Sequence, residues 1–509
     1  MSEPNTGARK LILPGGFWAI PALIAWALAV VALLDRTPYG LDEGTTRAIL
    51  LLWSISDQVV SPIVTMGIPD FRAVYLIPAG VFFSGSLLAA KLCTLLAAVA
   101  VVLGLHRWRS QQGDPETALI ASGLLLLSPL TVTLIDHVAI GPFLLLTFLL
   151  GSWADKTYRF TRVRFGGFYF AQLLLSLAAT NLHPAGLAYP MVLAISWIRD
   201  QPAEPLEPGM IPGRERTHVL TGIAIATLFG VLLAAGWPHL QWFGNPLVAL
   251  GEQIFGLEPE SGLGIAIVWM LGGLMLLALI AVLWRVRSEI LADRFVATLA
   301  LAAIIALLTA DSSFSLLVLV LLLYVGYALL LHARLGKAGG LVGQRGVGLV
   351  ALVVCSTLFL SADRARFVHL RQGIELSAQD QLIATLADAI QRSHPVAEQP
   401  GLVTEEQKAK SGPRVASQWP GRTMIACRCS TLPLPPVTED QAKFLANLHG
   451  VDYVVFDPKD PANAALSRGF ALLGGAQAET IALEPGGVVL RLHHADLAPP
   501  TPPPGALTG

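Results

Sequence analysis

The chain has 509 residues, of which 54% are apolar and only 14% charged, against about 25% charged in an ordinary soluble protein. A formal net charge of −1 and a pI near 6.8 leave no basic footprint for nucleic acid, which is excluded as a partner class. Residues 1–362 hold 21 Lys and Arg and 20 Asp and Glu, whereas the much shorter remainder holds 13 and 15, so a membrane part precedes a soluble part.

A helix needs about 20 mostly apolar residues to cross a hydrocarbon core of about 30 Å. Eleven segments read as spans, at 17–34, 75–105, 117–134, 138–153, 166–181, 184–198, 219–236, 263–284, 295–309, 314–333 and 347–361. The first follows Arg9 and Lys10 and lacks a small-residue cleavage site before Asp35, so it reads as a retained span. Positive charges stay on the cytoplasmic side. With the N-terminus inside, the cytoplasmic segments carry 17 Lys and Arg and the opposite loops carry three, all within 35–74. An odd span count then places everything after Ser361 outside. The fold class is an all-α polytopic membrane bundle of about eleven transmembrane helices with a small C-terminal extracytoplasmic α/β domain, in the plasma or inner membrane.

Between spans one and two, Ala48, Ile49, Leu52, Trp53, Ile55, Val59 and Val60 form one helical stripe opposite Ser54, Asp57 and Gln58. Such a helix lies in the interface plane with its apolar face in the lipid or on the bundle. Asp42 precedes it, as an N-cap would. In this topology five polar clusters face outward: the 35–74 loop, Asp136-His137, Asn181 with His183, the acidic 237–262 loop and Asp311. Together they suggest a cavity open to the outer leaflet. Lys91 lies deep in a span, where a charge is usually paired, and reads as structural.

The soluble part spans 363–497. Leu376, Leu382, Ile383, Leu386 and Ile390 recur at helical spacing over 376–392, strand-like runs occur at Thr423 to Cys427, Tyr453 to Phe456 and Val488 to Leu492, and 439–448 reads as helical. Cys427 and Cys429, if on one strand, point the same way too far apart for an easy disulfide. Residues 498–509 hold five prolines and read as a disordered tail.

One span, then Pro38-Tyr39-Gly40-Leu41-Asp42-Glu43, an interfacial helix, and a span with Tyr75, Pro78 and Gly85 to Leu92 resemble the GT-C membrane glycosyltransferases. The protein O-mannosyltransferases and lipid A aminoarabinose transferases are most alike. The resemblance covers spans one to six and the plan of an outer C-terminal domain, with 1–362 as the transmembrane catalytic domain. It implies an inverting sugar transfer from a polyprenyl-phosphate donor to a lipid, glycan or protein acceptor at the outer face. It also implies a catalytic base in the Asp42-Glu43 pair and a second acidic residue at Asp136. Arg47, Arg72 and His183 are the candidate donor-phosphate contacts, and His137 is a further candidate substrate-binding residue. Thr180-Asn181-Leu182-His183-Pro184 lacks the lysine that many relatives carry in this turn, and the paired prolines of span two are reduced to Pro78. No Asp-x-Asp stands in the first loop, so no metal or other cofactor follows from the resemblance and metal dependence is left open. The competing readings are a transporter or lipid flippase, supported by Lys91, and a non-catalytic envelope assembly protein.

The charge split predicts that alkaline phosphatase fused after Asp363 or after Leu497 is active in cells. Activity of a cytoplasmic reporter there instead means the span count is wrong by an odd number.

Overall fold

The apolar runs fold as helices, as a backbone without water to bond must satisfy itself within the segment. A computed structural model describes residues 23–32, 43–55, 71–83, 86–111, 129–161, 165–199, 214–234, 293–308, 378–393, 413–427, 429–435, 450–460, 463–471, 478–484 and 487–493, with a few single positions besides. The helices of the N-terminal part are α1 (Leu23–Ala32), α2 (Glu43–Ile55), α3 (Arg72–Phe83), α4 (Leu87–Gln111), α5 (Pro129–Asp136), α6 (Ile140–Thr161), α7 (Phe165–Leu182), α8 (Ala188–Arg199), α9 (Arg214–Leu232) and α10 (Arg294–Leu308), with a 3₁₀ turn at Pro184–Leu187. Among the described residues, α4 over Leu87–Arg107 and α7 are long and apolar enough to cross a membrane, and four shorter apolar helices lie in α1, α3, α9 and α10. The spans expected at 263–284, 314–333 and 347–361, and most of 117–134, lie outside the described residues. The count of eleven therefore rests on sequence alone.

The single span expected at 75–105 is two helices. Ser86 Oγ accepts from the Ala89 amide at 3.1 Å, which caps a new helix. The 12 residues of α3 rise only about 18 Å, too little to cross, so the break leaves one crossing segment here.

The chain divides into two compact units. One comprises residues 1–35, 70–75 and 91–373, and the other residues 36–69, 76–90 and 374–509. In the first, α7 packs against α6 and α9, and α8 against α9 and α10. Tyr158 stacks on Phe168 with centroids 4.0 Å apart, and Phe168 stacks on Trp197 at 5.8 Å, which joins α6, α7 and α8 at one level.

The second unit is built on a five-stranded sheet in the order β2-β1-β3-β5-β4, with β1 (Arg414–Ser417), β2 (Ser430–Pro433), β3 (Tyr453–Phe456), β4 (Ala478–Glu484) and β5 (Gly487–Leu492). β1 runs parallel to β2 and β3, and β5 is antiparallel to β3 and β4. The helices are α11 (Ala378–Ser393), α12 (Pro420–Cys427) and α13 (Ala464–Ala471). Alternation along the strands supplies two cores. Val415, Tyr453, Val455 and Val489 pack with Leu382, Ile383, Leu386 and Ile390 of α11. Ala416, Val454, Phe456 and Leu490 pack with Leu466 and Phe470 of α13. All four residues of β3 are buried, as expected for a strand covered on both faces.

Two expectations for this part are corrected. Thr423 to Cys427 is helical, because Pro420 opens α12 with a dihedral already set for the first turn. Cys427 and Cys429 are joined by a disulfide, with Cα atoms 5.2 Å apart. Cys427 ends a helix and Cys429 precedes β2, so the strand pleat that would hold them apart does not apply. The helix expected at 376–392 is α11, the runs at Tyr453 to Phe456 and Val488 to Leu492 fall in β3 and β5, and most of 439–448 lies outside the described residues. The expected interfacial helix is α2, which packs against α12 of its own unit. Thr45, Thr46, Ala48, Ile49 and Leu50 are buried there. The 498–509 tail lies outside the described residues.

Leu386 has no exposure and sits between α11 and the sheet. Leu386→Ala is expected to cost about 2–5 kcal/mol, read as a lowered melting temperature of the detergent-solubilised protein.

Candidate functional site

Three of the five polar clusters meet in the first unit through hydrogen bonds between residues far apart in sequence. The Phe71 amide at the head of α3 donates to Asn181 Oδ1 at 2.7 Å, and Asn181 Nδ2 donates to the Leu233 carbonyl at 2.9 Å. One asparagine thus ties the end of the first loop to the end of α7 and to the end of α9. Arg72, 2% exposed, donates from Nη1 to the Val138 carbonyl at 3.4 Å, which ties the same loop end to the turn between α5 and α6. Tyr75 stacks on Phe143 with centroids 5.2 Å apart. Its hydroxyl lies 2.5 Å from Thr147 Oγ1. Because Thr147 spends its own proton on the Phe143 carbonyl, Tyr75 is the donor.

The α5–α6 turn carries Asp136, His137 and Val138. Val138 N bonds to Ile135 O at 3.2 Å and Ala139 N to Leu134 O at 2.8 Å. These are the two bonds of a Schellman helix end, in which the residue at Val138's place is left-handed and usually glycine. Val138 takes that conformation with φ +51°, at a cost of about 1–2 kcal/mol for a residue with a Cβ. Asp136 is 2% exposed and accepts from Lys91 Nζ at 2.7 Å, with the Lys91 side chain 1% exposed. His137 is half-buried.

His183 is buried and caps the 3₁₀ turn, accepting the Ala185 amide on Nδ1 at 3.0 Å. Nδ1 is therefore unprotonated, and in the neutral ring the proton sits on Nε2. A Cβ at Gly186 would collide with the Ala179 carbonyl, so glycine is what lets this turn fold back against α7.

In the other unit, Glu43 opens α2 and Asp42 lies outside the described residues. Arg47 is half-buried, and its Nε is buried and makes no hydrogen bond among the described residues. The 237–262 loop and Asp311 also lie outside the described residues.

Reading the sequence missed a second buried charge pair. Asp155 of α6, 1% exposed, pairs with Arg294 at the head of α10 and accepts from Trp197 Nε1 of α8 at 3.2 Å. With Ser152, Tyr189 and Thr298 these charges line a small pocket. The signal was Asp155 standing only a turn beyond an apolar run.

No protein-family model matches the chain, and no curated protein matches it. Solved structures do. ArnT from Cupriavidus metallidurans in its apo state matches over 96% of this chain and 100% of its own, at 14% identity and a TM-score of 0.50. The same protein bound to undecaprenyl phosphate matches over the same shares at 14% identity and a TM-score of 0.51. The chain shares the fold of this ArnT structure. A weaker likeness, TM-score 0.48 at 13% identity over 89% of this chain and 71% of the other, links it to archaeal oligosaccharyltransferase AglB from Archaeoglobus fulgidus in complex with an inhibitory peptide and a dolichol-phosphate. Within the first unit, Arg72, Asp136, His137 and His183 lie on elements joined by the bonds just described. Arg47 and Glu43 belong to the other compact unit.

Removing one partner of a buried ion pair leaves an uncompensated charge. Lys91→Met is expected to destabilise the protein by about 3–5 kcal/mol, while Lys91→Met with Asp136→Leu recovers most of the loss. Thermal unfolding in detergent checks both.

Proposed function

We propose that this protein is a multi-pass membrane glycosyltransferase that moves a sugar from a polyprenyl-phosphate donor to an envelope acceptor at the outer face of the membrane, with inversion and Asp42 as general base. The observation that carries this reading is the fold shared over 96% of the chain with a structure bound to undecaprenyl phosphate. The Asp42-Glu43 pair ahead of α2 supports it. The Cys427–Cys429 disulfide supports an outside location for the C-terminal domain, since disulfides persist in oxidising compartments.

In the proposed reaction the Asp42 carboxylate takes the proton of the acceptor hydroxyl. The hydroxyl oxygen bonds the anomeric carbon from the face opposite the phosphate, and the bond from that carbon to the phosphate oxygen breaks. Polyprenyl phosphate leaves with the electron pair. General-base help is worth about 10²–10⁴-fold, and fixed donors at the leaving oxygen add to it. Arg47, whose buried Nε makes no hydrogen bond among the described residues, and His183 are each proposed, from the resemblance, as a donor-phosphate contact, and His137 as a substrate-binding residue. Asp136 is assigned to holding Lys91 rather than to proton transfer. That pairing also gives Lys91 a structural use, which removes the main support for a transporter or flippase.

A deletion strain should accumulate one polyprenyl-phosphate sugar and lose one envelope modification, both visible by mass spectrometry. Complementation with Asp42→Asn, a residue as well suited to a helix N-cap as Asp, should lower the modification by about 10²–10⁴-fold. A near-parental Asp42→Asn beside an inactive Glu43→Gln moves the base to Glu43. If both variants stay active, the mechanism is wrong. Arg47→Ala and His183→Ala should each weaken undecaprenyl phosphate binding by the purified protein, and unchanged binding in both would remove them from the phosphate site.

A further inference from the structure

The α5–α6 turn holds a fully buried β-branched residue, Val138, in the left-handed region, where β-branched residues are genuine outliers. Such strain persists only where the surroundings over-determine it, and it gathers at functional sites. The groups that hold it are present. Two backbone bonds close the helix end, and the Arg72 guanidinium, buried and 66 residues away in sequence, donates to the carbonyl of the strained residue itself. Arg72 in turn is set in place by the neighbouring Phe71 amide on Asn181. The residues just before Val138 are Asp136, locked to Lys91, and His137.

We infer that Arg72 is a positioning residue which, by bonding the Val138 carbonyl, holds the left-handed turn that presents His137 and Asp136 at the site. This deepens the glycosyltransferase reading and rests on it. Arg72 then acts through geometry rather than by charge on the lipid phosphate. Relaxation of Val138 to a right-handed or extended conformation would turn the backbone on either side and swing His137 away. Lysine at position 72 keeps the charge but loses the planar fork that reaches the carbonyl. Glycine at position 138 adopts the left-handed conformation without steric cost, so it makes the clamp dispensable.

The test uses the full-length protein in detergent and the complemented deletion strain, with Arg72→Lys, Arg72→Gln, Val138→Gly and both arginine variants combined with Val138→Gly. Undecaprenyl phosphate is the binding probe. Arg72→Lys should lower envelope modification by roughly 5–30-fold, the population equivalent of the left-handed cost, with little change in the Kd for undecaprenyl phosphate. Adding Val138→Gly should restore most of the loss. Because Val138 is buried, glycine there can open a cavity, so Val138→Asn, which also tolerates the left-handed region, is run beside it as an alternative rescue. A thermal-unfolding cycle on the same variants, which needs no activity, should show that Arg72 and Val138 are coupled. Additive effects in that cycle overturn the inference. So does a weakened probe affinity in Arg72→Gln with near-normal function in Arg72→Lys, which is the pattern of a phosphate contact. Coupling in stability with unchanged modification in every variant overturns the positioning role. Should the parent modify no envelope glycan or lipid, the glycosyltransferase reading fails, while the unfolding cycle still decides whether Arg72 holds the turn.

Discussion

The buried pair of Lys91 and Asp136 is the constraint around which the first unit is arranged. A lone ammonium or carboxylate in an apolar helix bundle carries a large desolvation cost, so neither residue is tolerable without the other. Their 2.7 Å contact fixes the end of α5 against the early turns of α4. The turn that follows α5 is then free to do little except close, and it closes in a conformation that valine adopts at a cost. Arg72 and Asn181 extend the same logic outward. Each is a polar side chain among apolar helices, and each satisfies backbone groups that the helix ends leave open.

Backbone groups freed at helix ends deep in a bundle cannot turn to water, so side chains from distant segments must supply the partners. That requirement joins residues separated by 66 and 110 positions and gathers three loops with chemically useful side chains. His183 belongs to the same economy: its ring caps a turn, and the cap decides which nitrogen keeps the proton. Structural necessity and functional presentation therefore fall on the same atoms, as expected where a site is built from loop ends held by a rigid scaffold.

The second unit solves a different problem, the covering of a five-stranded sheet on both faces. Its central strand is buried on both sides, its two cores are assigned by strand alternation, and Arg422 of α12 bonds Asp380 of α11 at 2.5 Å. The disulfide after α12 fixes the passage into the edge strand β2. α2, the helix that follows the Asp42-Glu43 pair, packs on α12, so an element read as part of the membrane domain makes its described packing contacts with the C-terminal domain.

The sequence by itself determined what depends on local composition and period. Uninterrupted apolar runs gave α7 and α10 within a residue of their bounds and the first two thirds of α6, the 3.6-residue stripe gave α11, and apolar β-branched runs gave β3 and β5. It also identified Asp136, His137, Asn181 and His183 as polar groups at helix ends, and it carried the resemblance that the fold bears out. Tertiary structure decided the rest. Short strands such as β1 and β2, four residues each, carry too few residues for a period to register. The break between α3 and α4 turns on one serine hydroxyl. The partner of Lys91, the bond from Arg72 to Val138, the pair of Asp155 with Arg294 and the disulfide are contacts between residues whose approach is set by packing. Hydrophobic period reports which face of an element is buried, but it carries no information on which distant polar group that face will meet, because the meeting is fixed only when the helices pack.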